Sequence, residues 1–204
     1  MQGQEYLNQI SASNRPAKKA GSNIFSSKIF IFGAVALILL VLIIAIGAIL
    51  SGNKGSEKDL NYALILHIDN TDEKIQEFQP NIKSSKLRSD ASSLHGVLSN
   101  TSSKLASYLE GKYNYKKKDI SESTVSKAEE AKNELHDELF EAKINGNLDR
   151  IFAHKMSYEV SLFLAEEARI MKSSKNEELS TILTTSYDSL EKLYTNFENF
   201  SEGK

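Results

Sequence analysis

The chain has no cysteine and only two prolines, Pro16 and Pro80, in 204 residues. Without cysteine there are no disulfides to offset a thin core, and no lipid-modified cysteine can serve as an anchor. Stability has to come from packing, for which about 150 residues suffice. Catalytic signatures are missing too: the sequence has no G-x-S-x-G, H-E-x-x-H, P-loop or dinucleotide-binding fingerprint. The formal net charge is −2, and no basic domain face for nucleic acid is expected.

What the chain does have is an uninterrupted apolar run of 22 residues, Ile29–Leu50. As a helix it would be roughly 33 Å long, matching the ~30 Å hydrocarbon core of a bilayer. A signal peptide has a shorter apolar region, closer to the N-terminus, and a small-x-small site after it. Here 28 residues come first, and the passable small pair, Ala45 and Gly47, lies inside the run. The run is therefore expected to be a retained transmembrane helix.

Arg15, Lys18, Lys19 and Lys28 precede this segment, against Lys54 and Lys58 after it, where Glu57 and Asp59 interleave. The bias predicts a cytoplasmic N-terminus and an extracytoplasmic C-terminal domain in the cell membrane. Residues 1–28 carry a net charge of +3, whereas the part beyond the run carries 21 basic and 26 acidic residues. The same four basic residues are candidates for lipid-headgroup contact, at about 1 kcal/mol each near an anionic surface. The tail is too short and polar to hold a core or a signalling domain, and it should be flexible.

Beyond Ser51-Gly-Asn-Lys-Gly55, which reads as a hinge, the periodicity is helical to the end. Ser56 and Asp59 have the spacing of a capping box. Leu60, Leu64, His67, Thr71, Ile75 and Phe78 then line one face until Pro80 stops or kinks the helix. A second helix is expected from Ser84 to Glu110, with Leu87, Ala91, Leu94, Leu98, Thr101, Leu105 and Leu109 inward and many serines around them. A third should run from Ile120 to Asn145, with Ala128, Ala131, Leu135, Leu139 and Ala142 inward and Phe140 and Ile144 widening the stripe. Asn145-Gly-Asn147 is a strong stop. The fourth helix carries Leu148, Ile151, Phe152, Met156, Val160, Leu162, Phe163 and Ile170, and after a break at 173–176 the fifth carries Leu179, Ile182, Leu183, Ser186, Leu190, Leu193, Tyr194, Phe197 and Phe200.

The fold class is thus all-α: one N-terminal transmembrane helix followed by an antiparallel bundle of about five helices, packed at shallow, coiled-coil-like angles. The two most apolar helices, the fourth and fifth, are expected at the heart of its core. The chain divides into a tail (1–28), a membrane helix (29–51), a hinge (52–56), a bundle (57–200) and a disordered C-terminus (201–204).

Four histidines, His67, His95, His136 and His154, fall on four successive helices. A di-iron site needs Glu-x-x-His, but Leu64, Ser92, Asn133 and Ile151 stand three residues before them, so no metal or other cofactor is expected. His67 reads as a core histidine with a local hydrogen bond. The pairs Glu129-Glu130 and Glu166-Glu167 read as parts of solvated, ion-paired helix faces rather than as an acid–base pair. One loop has a distinctive character: Lys112, Tyr113, Tyr115, Lys116, Lys117 and Lys118 could contact an anionic partner through charge and stacking.

Certain blocks, GQEYLNQIS, SNRP, LHIDNT, EKIQEFQP, VLSNTS, ELFEAKINGNLDRIFAHKMSYE and ILTTSY, resemble a family of uncharacterised single-pass membrane proteins from small-genome bacteria, over nearly the whole chain. The resemblance implies membrane anchorage and no activity. The expected function is that of a non-enzymatic, membrane-anchored interaction or structural module, with the lipid bilayer and a protein partner or second copy as contacts. Alternatives are a small-ligand sensor ectodomain working through a membrane partner, a pilin-like subunit, and a metal-dependent enzyme. The pilin reading is weakened because Ser26 stands where a glutamate is expected.

Overall fold

The computed structural model describes residues 56–114 and 120–201. The apolar run 29–50, the basic tail and the hinge as far as Gly55 lie outside the described residues. No helix among the described residues is long and apolar enough to cross a membrane.

Five α-helices make up the described chain: α1 Glu57–Phe78, α2 Ser85–Tyr113, α3 Glu122–Ile144, α4 Leu148–Ser173 and α5 Glu177–Glu198, with a 3-10 turn at Gln79–Asn81. Local chemistry sets most of the boundaries. Ser56 caps α1 in a capping box, its Oγ accepting from Asp59 N while the Asp59 carboxylate accepts from Ser56 N at 3.2 Å. Ser84, Ser121 and Asn176 cap α2, α3 and α5 through side-chain oxygens. α2 runs three residues past the expected end because Asn114, not Gly111, adopts the left-handed conformation that terminates it, at φ 52°. α3 begins two residues later than expected, after the Ser121 cap. It ends in a Schellman turn: Gly146 sits at φ 74°, with Asn147 N donating to Ala142 O and Gly146 N to Lys143 O.

Cross-helix contacts fix the directions. Asp72–His95, Asp69–Ser102 and Glu57–Lys112 run α1 and α2 antiparallel. Thr101–Ser186 and Asp90–Asn196 do the same for α2 and α5. His67 meets Glu159 and Glu166, and Asp149 at the start of α4 meets Lys83 and Ser84 just beyond α1, which sets α4 antiparallel to α1. Helices α1, α2, α5 and α4 therefore close an up-down-up-down ring of four, each packed against the next. α3 lies outside this ring. It runs parallel to α1, joined by Asn70–Ala128, Glu73–Lys132 and Glu77–His136, and antiparallel to α4.

That arrangement corrects two expectations. α3 buries only Leu135, Leu139 and Ala142, while Phe140 and Ile144 are 47% and 68% exposed and Ala131 faces solvent. A helix touching two neighbours from outside needs a narrow stripe. The heart of the bundle is α4 with α1 rather than α4 with α5: α4 buries 12 of its 26 residues and α1 11 of its 22, each packed on three other helices, whereas α5 buries six, all on one face.

The corner between α1 and α2 is pinned from α4. The Asp149 carboxylate, 8% exposed, accepts from Lys83 N at 2.9 Å and from Ser84 N at 2.7 Å. Asp149→Ala would leave both amides unpaired, and we expect a loss of about 1–3 kcal/mol in denaturant unfolding. Phe197→Ala, at a site 2% exposed on α5, is expected to cost about 3–5 kcal/mol. A melting shift under about a degree would show that α5 is not docked through this face.

Candidate functional site

The central α1/α4 interface carries the most unusual polar group. His67 packs its ring 4.4 Å from that of Phe163, and its two nitrogens face two carboxylates of α4: Nε2 lies 2.8 Å from Glu159 Oε2 and Nδ1 3.1 Å from Glu166 Oε2. Glu159 and Glu166 are seven residues apart, two helical turns, so both project on the same side of α4. A ring with acceptors at both nitrogens must donate from both, which only the imidazolium can do. Burial alone would push the His67 pKa down. The field of Glu166 and the hydrogen bonds to both carboxylates outweigh it and carry the pKa up to about 10.

One residue beyond Glu166, a second polar chain begins. Glu167 is fully buried; its Oε1 accepts from Ser186 Oγ on α5 at 2.6 Å, and Ser186 Oγ accepts from Thr101 Oγ1 on α2 at 3.0 Å. Glu167 Oε2 is buried without a partner. Burial, aided by the adjacent Glu166 charge and opposed by the Ser186 bond, raises the Glu167 pKa to about 8. The carboxyl is therefore neutral at pH 7. Its complete burial keeps it from touching a substrate, so the Glu166-Glu167 pair is neither a solvated face nor an accessible acid–base pair.

At the end of the bundle where α1 begins, Glu57 collects three partners. Lys112 Nζ donates to Glu57 Oε1 at 2.6 Å, and the hydroxyls of Tyr108 and Tyr113 donate to the same oxygen at 3.1 Å. The lysine also sits over both tyrosine rings, 5.2 and 5.1 Å from their centroids. The Lys112 bond holds the Glu57 carboxyl below its usual range, and Glu57 in turn raises the lysine. Of the six residues of the lysine–tyrosine loop, Lys112 and Tyr113 are thus brought together on Glu57. Tyr115, Lys116, Lys117 and Lys118 lie outside the described residues, as do Arg15, Lys18, Lys19 and Lys28.

The histidines do not converge. His95 pairs with Asp72 at 2.7 Å, His136 faces Glu77 at 3.3 Å and stacks on Phe140, and His154 is exposed. Among the described residues no group of three or more His, Cys, Asp or Glu is placed to hold a metal ion. Two recesses of about 360 Å³ each open at the end of the bundle away from Glu57 and share Phe200; one includes Lys83, Lys143 and Asp149, the other Arg150 and His154.

Sequence reasoning placed His67, Thr101 and Ser186 on inward faces but missed their partners, which are 92 and 85 residues away for the Glu159 and Thr101 contacts. One signal was available. Glu167 falls in the register of Val160, Phe163 and Ile170, inside an apolar stripe. No protein-family model, curated protein or solved structure matches the chain.

The charge on His67 has a pH signature. Its folded pKa is raised, so its contribution to stability is complete below about 6.5 and is lost as pH rises towards 10. In NMR titrations the His67 ring is expected to remain doubly protonated at pH 8.5, and His67→Gln should flatten the fall in melting temperature between pH 7 and 10. A neutral ring at pH 7.5 would contradict the clamp.

Proposed function

We propose that the chain is a membrane-anchored, extracytoplasmic helical bundle that works as an interaction or structural module. One observation carries this reading: among the described residues, several ionisable side chains of the bundle are engaged with one another or with the backbone. Both nitrogens of His67 face carboxylates, both oxygens of Asp149 cap backbone amides, and Glu57 is held by Lys112 and two tyrosines. Groups used in this way join helices and leave the outer surface as the working part. The 22-residue run Ile29–Leu50 supports the anchor, and the basic excess before it supports an N-terminus inside.

The sensor reading draws on the two recesses that share Phe200. It would need a membrane partner to carry the signal inward, whereas the module reading needs only a protein bound at the surface.

Protease added to intact cells tests the arrangement. An epitope at Lys204 should be digested and one at Met1 protected, and detergent lysis should expose both. Protection of Lys204 with digestion of Met1 would reverse the orientation, and protection of both before lysis would overturn extracytoplasmic display.

A further inference from the structure

The junction of α2, α4 and α5 contains a buried acid with a single hydrogen-bond partner. Glu167 is fully buried on α4, its one partnered oxygen faces Ser186 near the middle of α5, and Ser186 is held by Thr101 of α2. Around this polar step α5 docks through Leu179, Leu183, Leu190, Leu193 and Phe197, an otherwise apolar stripe. α5 packs on α2 and α4, is the last helix of the described chain, and joins α4 through the three residues 174–176. It can swing away without unthreading the other helices.

We propose that Glu167, Ser186 and Thr101 form a proton-operated latch, which holds α5 closed while the Glu167 carboxyl is neutral and frees the helix when that proton is lost to solvent. Ionisation breaks the carboxyl O–H bond, passes the proton to water or hydroxide, and leaves a carboxylate with one oxygen lacking any partner in the closed state. An unpaired buried charge is strongly unfavourable. Hydration of Glu167 in the open state relieves it.

The surroundings reinforce this. On α4, Glu166 brings a second negative charge, which His67 of α1 partly offsets while also bonding Glu159. On α5, burial first and then the negative charges of Glu191 and Asp188 hold the Tyr187 proton, and Glu167 adds to them once it ionises. α2 contributes the Thr101 hydroxyl. Opening would expose the leucine and phenylalanine stripe of α5 and the face it covers. The inference stands apart from membrane anchorage, since it concerns contacts within the bundle alone.

In the closed state Glu167 keeps its proton up to about pH 8, and in the open state it releases it near 4.5. Each pH unit between these values favours opening about tenfold, with a plateau above.

Hydrogen exchange on the full-length chain in lipid nanodiscs, corrected for the intrinsic pH dependence of amide exchange, reads the latch helix by helix. Between pH 6 and 8 the opening constant of α5 amides should rise on the order of fiftyfold and stay above that of α1 amides, which exchange only when the whole bundle opens. Glu167→Gln and, as an apolar alternative, Glu167→Leu should abolish the pH dependence specific to α5. A wild-type change in α5 of less than threefold, α5 amides as protected as those of α1 at pH 8, or an unaltered pH profile in a folded Glu167 variant would each overturn the latch. The wild-type profile alone decides the matter if neither variant folds.

Discussion

The bundle depends on burying α1 on three sides. A helix flanked by α2, α3 and α4 has little polar surface to spare, yet α1 carries Asn61, His67, Asn70, Thr71 and Lys74 among its buried or half-buried positions. Each buried polar group has to find a partner or lose free energy. Several do so on a neighbouring helix: Asn70 donates to Ala128 O of α3 and His67 reaches Glu159 and Glu166 of α4. Lys74 instead pairs on α1 itself with Glu73 and Glu77, and Glu73 carries the link onward to Lys132 of α3. The apolar stripes bring helices together, and these polar links choose which neighbour meets which and in what register.

Two ionisable groups at the centre take opposite solutions to the same problem. His67 is charged and paired on both sides, while Glu167, one position from its partner Glu166, is neutral and bonded to a hydroxyl. Both hold protons more tightly in the fold than in the unfolded chain. Both therefore favour the folded state on the acid side and weaken it as pH rises, Glu167 from about 4.5 to 8 and His67 from about 6.5 to 10. These two groups give the bundle a progressive sensitivity to alkali.

Helix positions were largely legible in the sequence because caps, Pro80 and the Asn-Gly-Asn stop are local signals. The inward faces of α2 and α5 followed from spacing, as did the capping box at Ser56, whereas α1 also buries Tyr62, Ile65, Leu66 and Ile68 outside the one face that spacing picked out. Spacing did not reveal that α3 sits outside the ring. Its apolar residues Phe140 and Ile144 widen a stripe on paper, but the number of neighbours a helix has is decided by the other helices. The His67 clamp was invisible for a similar reason: Glu166 read as part of a solvated face and Glu159 gave no signal until α1 is laid against them. Glu167 was the exception, a carboxyl standing in apolar register and therefore detectable.

The central claim is that an imidazolium held between two α4 carboxylates fastens the core helix. A double-mutant cycle on His67→Gln and Glu159→Gln, read as unfolding free energy of the full-length chain, tests it most directly. The account predicts a coupling of about 1–3 kcal/mol at pH 6.5 that disappears above pH 11, where the ring has lost its charge. A coupling below about 0.5 kcal/mol at pH 6.5, or one that persists unchanged at pH 11, would contradict it.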